Sequence, residues 1–274
     1  MDEFGVYSIH ELRDGGMTED EIKELAVSER LTRLGRGWYA QGPLANSDAI
    51  RAVRLGGRLG CLSGCKAHGL WVPPDPSLHV LLNPGTRRPG TKPGVEFHRA
   101  SVSCPTAVTP LEECLSQVLQ RHDPETALIV MESALNLKLL SEADIRSLIA
   151  AAPARQQRRL QHFMPGAQSG SETRIRLWFQ RHNVPVKPQA HIPGVGHVDL
   201  LVGNSWIIEA DSHAHHSSSS AQEVDGERVL TARELGYDTD RLTYGHIWNT
   251  WDRTMRFLTG RVATRKHLQP PVPR

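Results

Sequence analysis

Apolar positions near the N-terminus recur first at helical and then at strand spacing. Ser8 opens a short helix that runs through Leu12 and stops at Gly15 and Gly16. Thr18 opens a second, with Glu21 completing a capping box and Ile22, Leu25 and Ala26 on one side. From Leu31 the stretch TRLGRGWYA alternates and turns near Gly35. Further on, SDAIRAVRLGG, capped by Ser47 and stopped by Gly56, and LGCLSGCKAHGLW predict two more helices. SLHVLLN and GVEFHRA predict strands separated by a basic Pro/Gly-rich turn, and three capped helices follow between Thr109 and Pro153. The turn-rich MPGAQSGSE leads into a last region with one helix and a strand pair, GHVDLLV and WIIEAD.

This alternation predicts an α/β (α+β) fold in three parts. Residues 1–43 have the layout of a winged helix–turn–helix, residues 44–165 form a mixed α/β middle region, and residues 166–274 form a central mixed sheet flanked by helices. Winged helices read DNA with the second helix and brace the wing on the backbone, which makes Lys23, Arg30, Arg33 and Arg36 candidate DNA contacts. Glu19, Asp20, Glu21 and Glu24 would repel phosphates, so a winged helix used for protein contacts stays open.

The last region carries the chemistry. Ser169 or Ser171 caps its helix, and Glu172 lies three and seven residues before Ile175 and Phe179, on the same inward face. If Gly203, Asn204 and Ser205 form the hairpin loop, Val202 pairs with Trp206 and Asp199 lies opposite Glu209, with Asp211 on the same face opposite His197. Val198, Leu200, Val202, Trp206, Ile208 and Ala210 make the other face apolar. Two carboxylates directly opposed across a sheet destabilise it. They imply a divalent cation held by oxygen ligands, Mg²⁺ or Mn²⁺, unless a register one residue different turns one of them to solvent. His213 continues the acidic face if the strand persists, and His215 and His216 follow in a loop.

Composition narrows the classes. The chain has 274 residues and a formal net charge of +2, so global charge says little about partners. Six basic residues are Lys and the rest Arg, a bias that fits a GC-rich genome and also phosphate contacts. No apolar run approaches the roughly 18 residues of a membrane span, and the N-terminus lacks an apolar signal core, so a cytoplasmic protein without membrane contact is expected. Cys61, Cys65, Cys104 and Cys114 read as small buried thiols. His68, His79, His98 and His122 are scattered, and each is expected to be structural or exposed.

The order helix Glu172, strand Asp199, then Glu209-Ala210-Asp211 resembles the PD-(D/E)xK endonuclease core over residues 170–250. The stretch IIEADSHAHH, then Asp225 and Arg228 three apart, Leu235-Gly236-Tyr237 and the strand DRLTY resemble relatives of the very-short-patch-repair endonuclease. LSGCKAHGLW and VTPLEECL, behind the helix–turn–helix pattern, resemble AbiEi-type antitoxins. The resemblance implies metal ligation by Glu172, Asp199, Glu209 and the Ala210 carbonyl, and DNA contacts from Arg228 and Arg241. Asp225 and Arg228 could instead pair with each other. Asp211 stands where the family usually has the Lys that orients the attacking water, and Ser212 where it usually has Gly. Without the family's Lys, proton removal would fall to a histidine, His213, His215 or His216, to the metal alone, or to Asp211.

Two functions follow as expectations. One is a Mg²⁺- or Mn²⁺-dependent DNA endonuclease targeted by the N-terminal module. The other is a non-catalytic, antitoxin-like DNA-binding regulator with a degenerate core. A homodimer or a partner protein is left open by both.

Overall fold

A computed structural model describes residues 4–43, 45–100, 102–211 and 219–273, with the backbone alone for residues 219–225. It is an α/β fold of two compact units, Met1–Asp123 and Pro124–Arg274. No described helix is long and apolar enough to cross a membrane.

The first unit opens with β1 (Val6–Ser8), α1 (Ile9–Asp14), α2 (Glu19–Val27), β2 (Leu31–Gly35) and β3 (Trp38–Gln41). Ser8 and Thr18 each form a capping box, with Glu11 and Glu21, which satisfies backbone donors that a helix start leaves without partners. Both helices precede the β2–β3 hairpin as the sequence pattern predicts; the added strand β1 pairs with β3. Tyr7, Leu12, Ile22 and Leu31 form a small core among them.

The unit continues with α3 (Ser47–Arg54), β4 (Arg58–Leu59), α4 (Cys61–Ala67), β5 (Leu78–Leu82), β6 (Val95–Arg99) and α5 (Leu111–Arg121). Ser47 is not the cap of α3: the preceding Asn46 accepts the Asp48 and Ala49 N–H groups at 3.1 and 3.0 Å. Nor does α5 have a side-chain cap, because Pro110 precedes it. β5 and β6 pair in parallel, with His79 beside Glu96 and Leu81 beside His98. Val6 shares a core with Ala49, Ala52, Leu78 and Val80, so the N-terminal segment and the elements after residue 44 are packed as one body.

The second unit comprises α6 (Pro124–Asn136), α7 (Glu142–Ala151), α8 (Ala154–Arg159), α9 (Gly170–Arg181), β7 (Val186–Ile192), β8 (Gly196–Val202), β9 (Trp206–Ala210), α10 (Ser219–Glu234), β10 (Asp238–Leu242) and α11 (Trp251–Ala263). The middle region read as residues 44–165 is thus shared between the two units, and a buried polar contact accounts for its last helices lying here. Glu132 of α6, 2% exposed, accepts Arg176 Nη2 of α9 at 2.5 Å and Thr173 Oγ1 at 2.8 Å. Arg176 is wholly buried and also donates to the His162 carbonyl and Gln180.

The sheet runs β10-β9-β8-β7, antiparallel except for the parallel β9–β10 pair. On one face Leu200, Val202, Trp206 and Ile208 meet Ile175, Trp178 and Phe179 of α9 and Leu258 of α11. On the other, Ile207, Ala190 and Ile192 pack with Ala232 of α10. Val198 joins this second group, not the Leu200 face that its parity predicts. Opposite it β7 is kinked, with Gln189 at φ +47°, which interrupts the regular alternation of sides. The hairpin register depends on Gly203, at φ +59°, where a Cβ would fall 2.3 Å from the His267 carbonyl oxygen.

Removing one member of a buried ion pair costs about 3–5 kcal/mol. Arg176→Met is expected to destabilise the second unit by that order, and Glu132→Leu combined with Arg176→Met by much less. Urea unfolding followed by the fluorescence of Trp178, Trp206, Trp248 and Trp251 checks this.

Candidate active site

β8 and β9 are zipped from the loop outward, Val202 beside Trp206, Leu201 beside Ile207 and Leu200 beside Ile208. One step further, at Asp199 and Glu209, the ladder ends. The Asp199 carboxylate enters the gap and accepts the Ala210 N–H at 2.9 Å, while the Asp199 N–H points to Glu209 Oε2 at 3.4 Å. The two acids therefore face each other with a side chain replacing the next backbone hydrogen bond.

Glu172 reaches the same place from the first turn of α9, where Ser169 is the cap and accepts the Glu172 N–H at 3.2 Å. Its carboxylate accepts the Gln168 N–H at 3.0 Å and Gln189 Nε2 at 2.9 Å. The same Gln189 amide lies 3.2 Å from Asp199 Oδ1, so it bridges the two acids. Glu172, Asp199 and Glu209 line a cleft of about 780 Å³, with Asp211, Arg228 and Arg241.

The charges in this cleft are only partly matched. Burial and the neighbouring Asp199 push the Glu209 carboxyl up to about 7, because both favour the neutral form. Burial, and then Asp199, also raises Glu172. Asp211 behaves differently: Arg241 grips both its oxygens from Nε, at 2.7 and 2.8 Å. β9 and β10 run parallel with Arg241 beside Glu209, which brings the guanidinium within reach of the acid two residues on. Arg228 donates to the Val195 and His197 carbonyls and sits 3.8 Å from Glu209.

Of the residues singled out in the sequence, Glu172, Asp199, Glu209, Ala210, Asp211, Arg228 and Arg241 share this one cleft. Asp211 is drawn to Arg241 instead of to the acidic pair. His213, His215 and His216 lie outside the described residues, as does the side chain of Asp225. In the first unit Arg30, Arg33 and Arg36 are exposed in and beside the β2–β3 hairpin, whereas Lys23 is engaged by Asp20 at 3.0 Å. Gln189 was missed because β7 was not recognised; the Pro193-Gly194 pair between two alternating runs is the turn signal that marks it.

No protein-family model matches this chain, and no curated protein matches it in sequence.

The donor set, hard carboxylate oxygens from buried Glu172 and half-buried Asp199 and Glu209, is of the chemical type that suits Mg²⁺ or Mn²⁺. Asp199 and Glu209 already meet, while Glu172 is linked to them through the Gln189 amide.

Glu209 yields a pH prediction. Its folded value lies above that of a free carboxyl, so its ionisation opposes folding. The penalty is absent below about pH 4.5, grows as pH rises towards 7, and is full above it. Glu209→Gln is expected to raise the melting temperature at pH 8 by a few degrees and to leave it unchanged at pH 4. Calorimetry across that range tests it.

Proposed function

We propose that the second unit is a divalent-metal-dependent phosphodiesterase acting on DNA, an endonuclease, and that the first unit helps it find its substrate. One observation carries this reading: Asp199 and Glu209 are forced together at the parting of two strands, in a cleft that also presents Arg228 and Arg241. Carboxylates suit a metal ion and arginines suit a phosphate, and a phosphodiester with its metal needs both. The resemblance to PD-(D/E)xK enzymes adds support through the order of Glu172, Asp199 and Glu209 along the chain.

Asp199 and Glu209, joined by Glu172 and the Ala210 carbonyl, would hold Mg²⁺ or Mn²⁺. When bound, such an ion acidifies water and neutralises charge on phosphoryl oxygens. The rest falls to the chain. Arg228, steadied by two backbone carbonyls, orients a phosphate at the cleft wall. Glu209, whose proton affinity burial and Asp199 raise, would give up its proton on taking the ion as a carboxylate. Gln189 keeps Glu172 and Asp199 in register.

The Arg241 clamp on Asp211 favours a second reading. The residue standing in place of the usual Lys is tied down as an ion pair, which suits a core retained for DNA contact alone. A plasmid-nicking assay separates the two. Cleavage with Mg²⁺ or Mn²⁺ that vanishes in Asp199→Ala and Glu209→Ala is the expected outcome; metal-independent DNA binding with no cleavage of duplex, mismatched or branched substrates would establish the regulator instead.

Targeting is tested separately. Replacing Arg30, Arg33 and Arg36 with Ala is expected to weaken binding evenly across DNA sequences. The slope of log affinity against log salt should fall by about one for each phosphate that is no longer neutralised.

A further inference from the structure

A second constellation lies in the first unit, where scattered histidines come together. His79, on β5, is wholly buried, and its two ring nitrogens face different chemistry. Nε2 is 3.3 Å from Asp75 Oδ2. Nδ1 is 2.8 Å from His98 Nε2 and 3.9 Å from Glu96 Oε2. Glu96 and His98 are two apart on β6 and share a side of that strand, beside His79 in the parallel register.

One ligand-type atom from each of His79, Glu96 and His98 lies within 4.8 Å of the others. In a tetrahedral zinc centre with Zn–N of about 2.0–2.1 Å, two ligating nitrogens stand about 3.3 Å apart. The distances from His79 Nδ1, one shorter and one longer, differ from this by about half an ångström, within reach of small side-chain rotations. Glu96 is half-exposed, so the cluster opens to solvent on that side.

We propose that His79 Nδ1, His98 Nε2 and the Glu96 carboxylate form a zinc-class metal site, with Asp75 orienting His79 from its far nitrogen. Two imidazoles and one carboxylate suit a borderline ion such as Zn²⁺ better than Mg²⁺. A carboxylate accepting the second N–H of a ligating histidine fixes the ring's tautomer and raises its basicity. Three protein ligands leave a fourth position for water or a small ligand. The site would tie β5 to β6 and is independent of the acidic cleft in the second unit.

A rival trio borders it. Cys61 Sγ lies 3.1 Å from His122 Nε2, and both are near His79. Asp75 favours the first trio: with the Nε2 N–H directed at its carboxylate, His79 turns the Nδ1 lone pair towards His98 and Glu96.

The test is zinc binding by calorimetry to the full chain carrying Asp199→Asn, His213→Ala, His215→Ala and His216→Ala, which removes competing donors. A single Zn²⁺ is expected to bind and to raise the melting temperature. Bound Co²⁺ should show the visible bands of tetrahedral nitrogen and oxygen ligation without a thiolate charge-transfer band. Glu96→Gln, an exposed change expected to leave the melting temperature in EDTA unaltered, should abolish binding; Cys61→Ser should leave it intact. Asp75→Asn should weaken it about 10–100-fold. Absence of zinc binding to the folded chain overturns the site and leaves an Asp75–His79–His98 hydrogen-bond relay. So does loss of binding in Cys61→Ser with retention in Glu96→Gln, which moves the ion to the rival trio.

Discussion

The second unit hangs on one buried ion pair. Glu132 and Arg176 are both removed from water, and each is tolerable only because the other is there. Burial alone pushes the Glu132 carboxyl up, and Arg176, Thr173 and the Met164 N–H pull it back. The pair pins α9 to α6. Glu172 lies one helical turn before Arg176, so the contact that anchors the helix also sets how far its acid reaches over the sheet.

The cleft continues the same economy of charge. Asp211 receives a full counter-charge from Arg241, whereas Asp199 and Glu172 are held by neutral donors, Gln189 and backbone N–H groups. Burial and the neighbouring Asp199 raise the proton affinity of Glu209, and the Asp199 N–H and the more distant Arg228 offset this only in part. Acid that is buried but not neutralised has been placed at a cost to stability. Such a cost is typical of sites arranged for a ligand.

The first unit places polar groups in its interior in a different way. His79 and His98 lie 2.8 Å apart, so the two rings cannot both be charged, and burial with the neighbouring His79 drives His98 down to about 3. A neutral imidazole such as His98 can act in a hydrogen-bond relay or as a metal ligand. The carboxylates on either side, Asp75 and Glu96, distinguish this pair from a simple stacked couple in a core.

Much of the local structure was legible along the chain. The Thr18–Glu21 box, a serine cap at Ser169 or Ser171, which the structure places at Ser169, and the loop at Gly203 were marked by residues whose side chains or backbone preferences act within a few positions. From that loop the pairing of Val202 with Trp206 follows by counting, and with it the confrontation of Asp199 and Glu209. Tertiary structure decided everything that depends on elements distant in sequence. It brought Gln189 between two acids, tied Asp211 to Arg241 across a parallel strand pair, turned Val198 to the opposite face at a kink, and gathered His79, His98 and His122. The physical reason is range. Caps and turns are closed by bonds between near neighbours, whereas a charge partner is chosen by whichever strand or helix packs alongside, and that is set only when the apolar faces close.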